Sequence, residues 1–248
     1  MRCLRQEGGK HLILCACILI MYRYETHLHT SVASACSRFT PEEIVEKYTR
    51  LGYAGVFVTD HYLRGNSSVP KDLPYEERVR LYFDGYREVK KCAQGSGLDV
   101  FCGVEISHYG TDFLFYGLPE QWYIDNPDIM RESPKEMCIR ARNAGALVIQ
   151  AHPYRQRDYI DHIRLFPSEV EGIEVINGTE GERSNELAGS LAKAYGLHET
   201  AGTDIHGAGH KLLAGVEFET KLKSEEDFIQ RIRRGEGSVF TLTDEGVL

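Results

Sequence analysis

The chain has 248 residues and a mass of 28.1 kDa, which is enough to bury a large core. Its net charge of −8 argues against a protein that tracks long nucleic acid by neutralising phosphates, so no long nucleic-acid partner is expected. The seven cysteines show no disulfide-framework spacing, which indicates reduced thiols and a cytoplasmic location.

The N-terminal segment contains an apolar run from Leu12 to Met21. Because a bilayer-spanning helix needs about 20 apolar residues, this run is too short to cross a membrane, and no membrane contact is expected. It is compatible with an extension upstream of a natural start at Met21, with a short signal peptide, or with an extra strand or helix. Residues 1–21 are therefore treated as an extension of open status, and residues 22–248 are predicted to form a single domain.

Strands and helices are predicted to alternate along the rest of the chain. A strand over residues 23–30 precedes a helix that begins at Pro41, after the N-cap Thr40, and ends at Gly52. Further strands are predicted at residues 54–59, 98–104, 112–116, 146–151, 172–176, 199–202, 214–218 and 239–242. Further helices are predicted at residues 75–91, 135–143, 183–195 and 224–234. This alternation predicts an α/β fold built largely on a parallel sheet.

Side chains that bind metals recur where the predicted strands end. His27 and His29 lie two residues apart in a strand, so both imidazoles are expected on one face. Groups of the same kind follow later strands, at His61, Glu105, His152, Asp204 and His206. Because loops at the carboxyl ends of parallel strands converge on one edge, the pattern predicts a metal site there. Mixed imidazole and carboxylate donors suit Zn, Mn or Fe.

Taken in order, five short segments resemble the motifs of the PHP (polymerase and histidinol phosphatase) family. They are His27-Leu-His29, Thr59-Asp60-His61, Gly103-Val-Glu105, His152-Pro153 and Thr203-Asp204-Ile-His206. The resemblance runs from about residue 22 to residue 220. It implies a distorted (β/α)7 TIM-like barrel with the metal site at the carboxyl ends of the strands, two or three divalent metal ions, and phosphoester hydrolysis.

The resemblance also implies a role for each matching residue. A first metal would be held by His27, His29, Glu105 and Asp204. Glu105 would bridge to a second metal that His152 also binds, and a third position would use His61 and His206. Glu105, His152 and Asp204 are accordingly the expected catalytic residues. Asp60 is expected to orient its neighbours rather than to bind metal.

Two positions depart from the family pattern and bear mainly on the third metal. Ala35 stands where the family normally has Asp or His, and the adjacent Cys36 is either a soft substitute ligand or a buried thiol, the interpretation we favour. The histidine expected on the strand after Glu105 is absent. Asp112, on the inward face of that strand, is the candidate replacement ligand, and His108 in the preceding turn is its rival.

Several residues near the motifs are candidates for binding substrate. Arg155, three residues after His152, is expected to bind a phosphate through its forked guanidinium, the alternative being a surface arginine beside Arg157. His210 and Lys211 are further candidates. The segment after residue 176 (Asn177-Gly178) is interpreted as a turn rather than as a substrate contact.

These features predict a metal-dependent hydrolase that cleaves a phosphoester bond in a small phosphorylated metabolite or nucleotide, using a metal-activated water. Two alternatives remain open: an exonuclease acting on short oligonucleotides, and a non-catalytic metal-binding regulatory module. Nothing in the sequence requires a partner protein.

Overall fold

The computed structural model describes residues 21–210 and 212–244. Its strands are β1 (Tyr22–Leu28), β2 (Gly55–Val58), β3 (Asp99–His108), β4 (Thr111–Tyr116), β5 (Leu147–Ala151), β6 (Gly172–Asn177), β7 (His198–Gly202), β8 (Leu212–Phe218) and β9 (Ser238–Thr243). Its helices are α1 (Pro41–Arg50), α2 (Tyr75–Tyr82), α3 (Asp84–Cys92), α4 (Glu120–Asp125), α5 (Pro134–Asn143), α6 (Glu182–Tyr195) and α7 (Glu225–Arg233). The predicted N-terminal extension, apart from Met21, and the candidate Lys211 lie outside the described residues.

The first seven strands follow one another in chain order around a nearly closed barrel. Between β7 and β1 the ring is completed just beyond the strand ends, where the amide of Asp204 donates to the carbonyl of His27 at 2.7 Å and that of His29 to Ile205 at 3.1 Å. The strands β8 and β9 extend the sheet beyond β1 by antiparallel pairing. The predicted barrel is thus confirmed, with two additional strands beside it.

The alternation of strands and helices is interrupted between β3 and β4. The strand β3 does not stop near Val104 but continues to His108, and β4 returns antiparallel to it and to β5. The chain reverses at Tyr109 and Gly110, whose φ angles of 52° and 77° are typical of a two-residue hairpin turn. No helix was predicted between these two strands, and a hairpin needs no crossover helix.

The barrel is filled by large side chains at the end opposite to the predicted site. Tyr24, Phe57, Leu114 and Tyr116 belong to one buried cluster, and Phe228 of α7 packs against Phe57 with ring centroids 4.4 Å apart. The helix α7 therefore closes this end of the barrel. Two further buried clusters lie between the strands and the surrounding helices.

The helix boundaries agree with their capping residues in most places. Thr40 and Glu43 form a capping box before α1, and Ser133 and Glu136 form another before α5. The single helix predicted at residues 75–91 is instead two helices that meet at Phe83. The helix α4 lies in a segment for which no helix was predicted. No helix in the described residues is long and apolar enough to span a membrane.

Candidate metal centre

The carboxyl ends of β1, β5 and β7 and the middle of β3 bring the predicted ligands into one buried cluster. Oε1 of Glu105 lies 3.3 Å from Nε2 of His27 and 3.3 Å from Nε2 of His152. Oδ1 of Asp204 lies 3.1 Å from Nε2 of His29 and 3.6 Å from Nε2 of His27. All these side chains are at most 2% exposed. Residues from distant parts of the chain therefore share one pocket.

Three overlapping groups in this cluster have ligand atoms within 4.8 Å of one another. They consist of His27, His29 and Asp204, of His27, Glu105 and His152, and of His29, His61 and His206. Each group has the size and donor types of a divalent cation site. Seven of the eight predicted metal ligands fall in these groups, and only Asp112 does not.

An irregularity in β1 aims His27 into the barrel. Tyr24 packs in the interior cluster, and His27, three residues later, also faces inward, although strict alternation would place these two side chains on opposite faces. The pairing register of β1 with β2 shifts between Glu25 and Leu28, which changes the phase of the strand. The shift lets Tyr24 fill the core while His27 and His29 reach the site.

Unpartnered polar atoms indicate that the pocket fits cations. In the described residues, buried side-chain atoms without a hydrogen-bond partner include Nε2 of His27, Nδ1 of His61 and Oε2 of Glu105. A buried polar atom without a partner costs about 1–3 kcal/mol, so such atoms rarely gather in one place without a function. Metal coordination would satisfy all three atoms at once.

The charges in the cluster shift the pKa values of its members in opposite directions. Burial favours neutral His27, but the carboxylates of Glu174, Asp204 and Glu105 outweigh it and raise the pKa of His27 well above its usual range. Burial together with the neighbouring His61 lowers the pKa of His29 well below its usual range. Protonated imidazoles therefore balance the carboxylates in the metal-free protein, and bound cations would replace those protons.

Two of the clustered residues have strained backbones. His152 has a φ of 28° and Asp204 a φ of 56°, a region that residues other than glycine seldom occupy. Each such residue costs about 1–3 kcal/mol, and they concentrate at functional sites because the surrounding structure holds them there. The strain places both side chains at the cluster rather than along their strands.

Glu174, which the sequence analysis did not single out, supports two of the ligands. Its Oε1 accepts a hydrogen bond of 2.9 Å from Nδ1 of His27, and its Oε2 accepts one of 3.0 Å from the amide of His152. The Nδ1 bond fixes the His27 tautomer that leaves Nε2 free to bind a metal. A lone acid inside the apolar strand Gly172–Asn177 was the available signal, since a buried charge needs a partner.

Asp60 orients its neighbours, as expected. Its carboxylate accepts hydrogen bonds from the amide of Thr30 at 2.6 Å and from the hydroxyl of Ser34 at 2.6 Å. The Ser34 hydroxyl lies 3.3 Å from Nδ1 of His29 and accepts a bond of 3.0 Å from the amide of His61. Asp60 therefore holds the loop after β1 against two predicted ligands.

The interpretation of Cys36 as a buried thiol is wrong. Cys36 is exposed. Partial burial of the thiol opposes its ionisation, yet His206 and His61 lower the pKa of Cys36 to about 6.

Arg155 lies at the rim of the cluster and is not a surface arginine. Its guanidinium contacts Asp204, and its Nε donates to Oε1 of Glu180 at 2.7 Å. Only 12% of its side chain is exposed. It also borders an open cavity of about 540 Å³ that is lined by residues 155–158 and 160–163. Arg155 therefore connects the cluster with a space large enough for a small molecule.

Asn177 combines the predicted turn with a role in the site. The amide of Glu180 donates to its carbonyl, which forms the turn, while its buried side chain donates to Glu174 at 2.9 Å and to Asp204 at 3.4 Å. The interpretation as a turn alone is therefore incomplete.

The remaining candidate residues differ in how close they lie to the cluster. Oδ2 of Asp112 lies 3.7 Å from Nε2 of His152, at the edge of the cluster. Its rival His108 bonds instead to the carbonyl of Glu132 at 2.9 Å. The carbonyl of His210 accepts a bond from the ammonium of Lys47, which fastens its loop to α1. Asp112 is thus better placed than His108 to reach a cation.

Comparison with solved structures supports the fold. A two-domain protein from Bacteroides vulgatus, named as containing a predicted PHP-like metal-dependent phosphoesterase, aligns with a TM-score of 0.66 and 16% identity. The alignment covers 89% of this chain, which spans only 65% of the length of that protein. PsfC from Pseudomonas syringae aligns with a TM-score of 0.61 and 13% identity, covering 90% of this chain and 91% of its own.

An amidohydrolase from Chromobacterium violaceum, solved with bound sulfate and no metal, aligns with a TM-score of 0.50 and 16% identity over 75% of this chain and 88% of its own. No curated protein matches the chain. A family model described as PHP-associated (PHP_C) matches residues 182–236, which span α6 to α7. The chain is thus similar to PHP-domain proteins in its fold and over this C-terminal segment.

Proposed function

We propose that the chain is a metal-dependent hydrolase that cleaves a phosphoester bond in a small phosphorylated metabolite or nucleotide. The observation that carries the proposal is the convergence of unpartnered Nε2 of His27, Nδ1 of His61 and Oε2 of Glu105 on one buried spot. Such a donor set suits two or three Zn, Mn or Fe ions.

We assign the metal ligands as the resemblance implies, with Glu105 between His27 and His152, and with Asp112 as an additional ligand on the His152 side. When bound, the cations supply a hydroxide nucleophile at neutral pH and stabilise charge on a phosphoryl oxygen. Glu105, His152 and Asp204 keep that chemistry fixed in position. Their burial strengthens every electrostatic interaction at the reacting group.

Arg155 is proposed to bind the substrate phosphate. Its guanidinium borders the cavity of about 540 Å³ and already donates to Glu180, Thr179 and Asp204, so a phosphate would replace one of these partners to engage its planar donors. The neighbouring Arg157, 40% exposed, lies at the same rim and pairs with Glu180 at 2.7 Å.

The proposal is tested by a panel of substrates offered to metal-loaded protein. The panel contains phosphomonoesters, nucleotides, short oligonucleotides and, because one structural neighbour is named an amidohydrolase, amides. Turnover of a phosphoester should fall at least about 100-fold in His152→Ala and Asp204→Ala, since both remove a metal-binding group.

Matched controls change the same residue types at the opposite end of the barrel. His198→Ala, at the start of β7, and Asp99→Ala, at the start of β3, should keep most of the turnover. Oligonucleotide cleavage above mononucleotide turnover would favour the exonuclease. Bound metal with no turnover of any substrate would favour the regulatory module and contradict the proposal.

A further inference from the structure

The two carboxylate oxygens of Asp204 have different kinds of neighbour. Its Oδ1 faces the imidazoles of the cluster, 3.1 Å from Nε2 of His29 and 3.6 Å from Nε2 of His27. Its Oδ2 accepts a hydrogen bond from the guanidinium of Arg155. A positive side chain of the protein itself therefore contacts the second oxygen of a predicted metal ligand.

Arg155 is held in this position and keeps its charge there. Its amide donates to the carbonyl of His152 at 2.9 Å, and its Nε donates at 2.7 Å to Oε1 of Glu180, whose side chain is only 4% exposed. Because the contact with Asp204 is largely buried, solvent and salt screen it weakly. A guanidinium also stays protonated across the pH range in which proteins fold. Arg155 thus neutralises Asp204 as a bound cation would.

The orientation of Asp204 does not depend on Arg155 alone. The amide of Asp204 donates to the carbonyl of His27 at 2.7 Å, and its Oδ2 also accepts from Nδ2 of Asn177 at 3.4 Å. These bonds would keep Oδ1 directed at His29 and His27 if the guanidinium moved away. The main effect of Arg155 on a bound divalent cation is therefore repulsion between like charges rather than placement of a ligand.

We infer that Arg155 is the internal counter-cation of the metal-free site, which lowers its affinity for divalent cations, and that cation binding releases Arg155 from Asp204 to bind a tetrahedral dianion. A bound cation takes over the neutralisation of Asp204, so the guanidinium loses most of its attraction to that carboxylate. The bond to Glu180 keeps the Arg155 side chain beside the cavity of about 540 Å³. Cation and anion binding are thereby coupled, and each favours the other.

The first test is the affinity of the full chain for Zn²⁺, measured by competition with a chromophoric chelator. Arg155→Gln removes the positive charge and should bind Zn²⁺ about tenfold more tightly than wild type. Arg157→Gln is the matched control, because it makes the same change of charge nearby at a residue that pairs with Glu180 and not with Asp204, and it should stay within about twofold of wild type.

The direction of the change decides between two roles of Arg155. If Arg155 served to orient Asp204, its loss would weaken metal binding, typically by about 10–100-fold. Weaker or unchanged Zn²⁺ affinity in Arg155→Gln would therefore overturn the inference.

The second test uses metal-free protein, with inorganic sulfate as the probe for the anion. Asp204→Asn removes the carboxylate charge that holds Arg155, so sulfate should bind about tenfold more tightly than to wild type in isothermal titration calorimetry. The gain should disappear in Arg155→Gln/Asp204→Asn and persist in Arg157→Gln/Asp204→Asn, which has the same net charge. Equal sulfate affinity in wild type and Asp204→Asn, or equal gains in the two double variants, would contradict the inference.

The inference rests on the proposed function for the cation site and for the anion that Arg155 binds. Protein that hydrolyses a phosphoester while Arg155→Gln binds Zn²⁺ no more tightly would refute the inference and leave the function standing. The expected changes in both tests, in protein that turns over no phosphoester, would support the inference and contradict the function. Protein that binds no Zn²⁺ would refute both. Circular dichroism checks that each variant is folded.

Discussion

Glu174→Gln should weaken metal binding without changing the size of the side chain. The carboxylate accepts hydrogen bonds on both oxygens, from Nδ1 of His27 at 2.9 Å and from the amide of His152 at 3.0 Å, and Nδ2 of Asn177 also donates to it at 2.9 Å. A glutamine offers only one oxygen. If it faces His27, its amide group meets the donors of His152 and Asn177, and if it is flipped, His27 must change its tautomer.

Either arrangement should lower both the free energy of unfolding and the metal affinity. A buried donor without an acceptor costs about 1–3 kcal/mol, so the free energy of unfolding of the metal-free protein should fall by about that amount. Loss of a group that orients a metal ligand typically reduces metal affinity about 10–100-fold. This corresponds to about 1.4–2.8 kcal/mol of binding free energy, at 1.4 kcal/mol for each tenfold change.

The assay is competition for Zn²⁺ between the protein and a chromophoric chelator, combined with urea unfolding of the metal-free protein. Glu171→Gln is the matched control, because Glu171 precedes β6 and pairs with Arg233 at 2.9 Å, away from the cluster. It should leave the metal affinity nearly unchanged. Wild-type affinity in Glu174→Gln would refute the reasoning that the hydrogen bond to His27 prepares the site.

Three further predictions follow from the same geometry. Arg155→Lys keeps the charge but loses the forked donor pair, so the KM for a phosphoester should rise about tenfold with a smaller change in kcat, measured by steady-state kinetics. The folded state raises the pKa of His27 and His61, so the metal-free protein should lose stability as the pH rises above about 6.5, where histidines of the unfolded chain lose their protons. Chemical denaturation at a series of pH values measures this loss. The protein with Zn²⁺ bound should not show it. Gly85→Ala should destabilise the fold by about 1–3 kcal/mol in thermal unfolding, since its Cβ would overlap Oδ2 of Asp60.

Each of these has a control or a contradicting result. Arg157→Lys changes a 40% exposed arginine and should leave KM within about twofold of wild type, because surface ion pairs contribute little. Stability of the metal-free protein that rises between neutral and alkaline pH would contradict the histidine argument. Gly189→Ala places a Cβ in open space within α6 and should stabilise the helix by up to about 1 kcal/mol, so equal losses in both glycine variants would contradict the contact with Asp60.

Much of the candidate site could be predicted because its ligands follow strands in simple order. His61, His152 and Asp204 come within three residues of the ends of buried strands, and parallel strands bring such positions to one edge whatever the details of packing. Capping residues such as Thr40 likewise marked where a helix begins. Local chemistry and strand order were sufficient for these features.

The features that sequence reasoning missed depend on contacts between distant residues. The phase shift in β1 arises where Tyr24 and His27 must both face inward, and no residue in that strand marks it. The return of β4 beside β3 depends on the turn at Tyr109, whose type becomes evident only from its positive φ. Cys36 was misjudged because exposure is a property of the folded chain.

Two buried glutamates fix the positions of the cluster residues in the metal-free protein. Glu25 accepts bonds from the amide of Thr203 at 2.8 Å and from the hydroxyl of Tyr48 at 2.8 Å, which fastens β1 to the segment that carries Asp204. Burial raises the pKa of Glu25 to about 7 in spite of these donors. Glu174 fastens β6 to the ligands of β1 and β5 in the same way.

Because these bonds already fix the ligands, a cation would bind without first ordering the loops, and little conformational entropy would be lost. Selection among metals would then depend on the donor atoms rather than on loop closure.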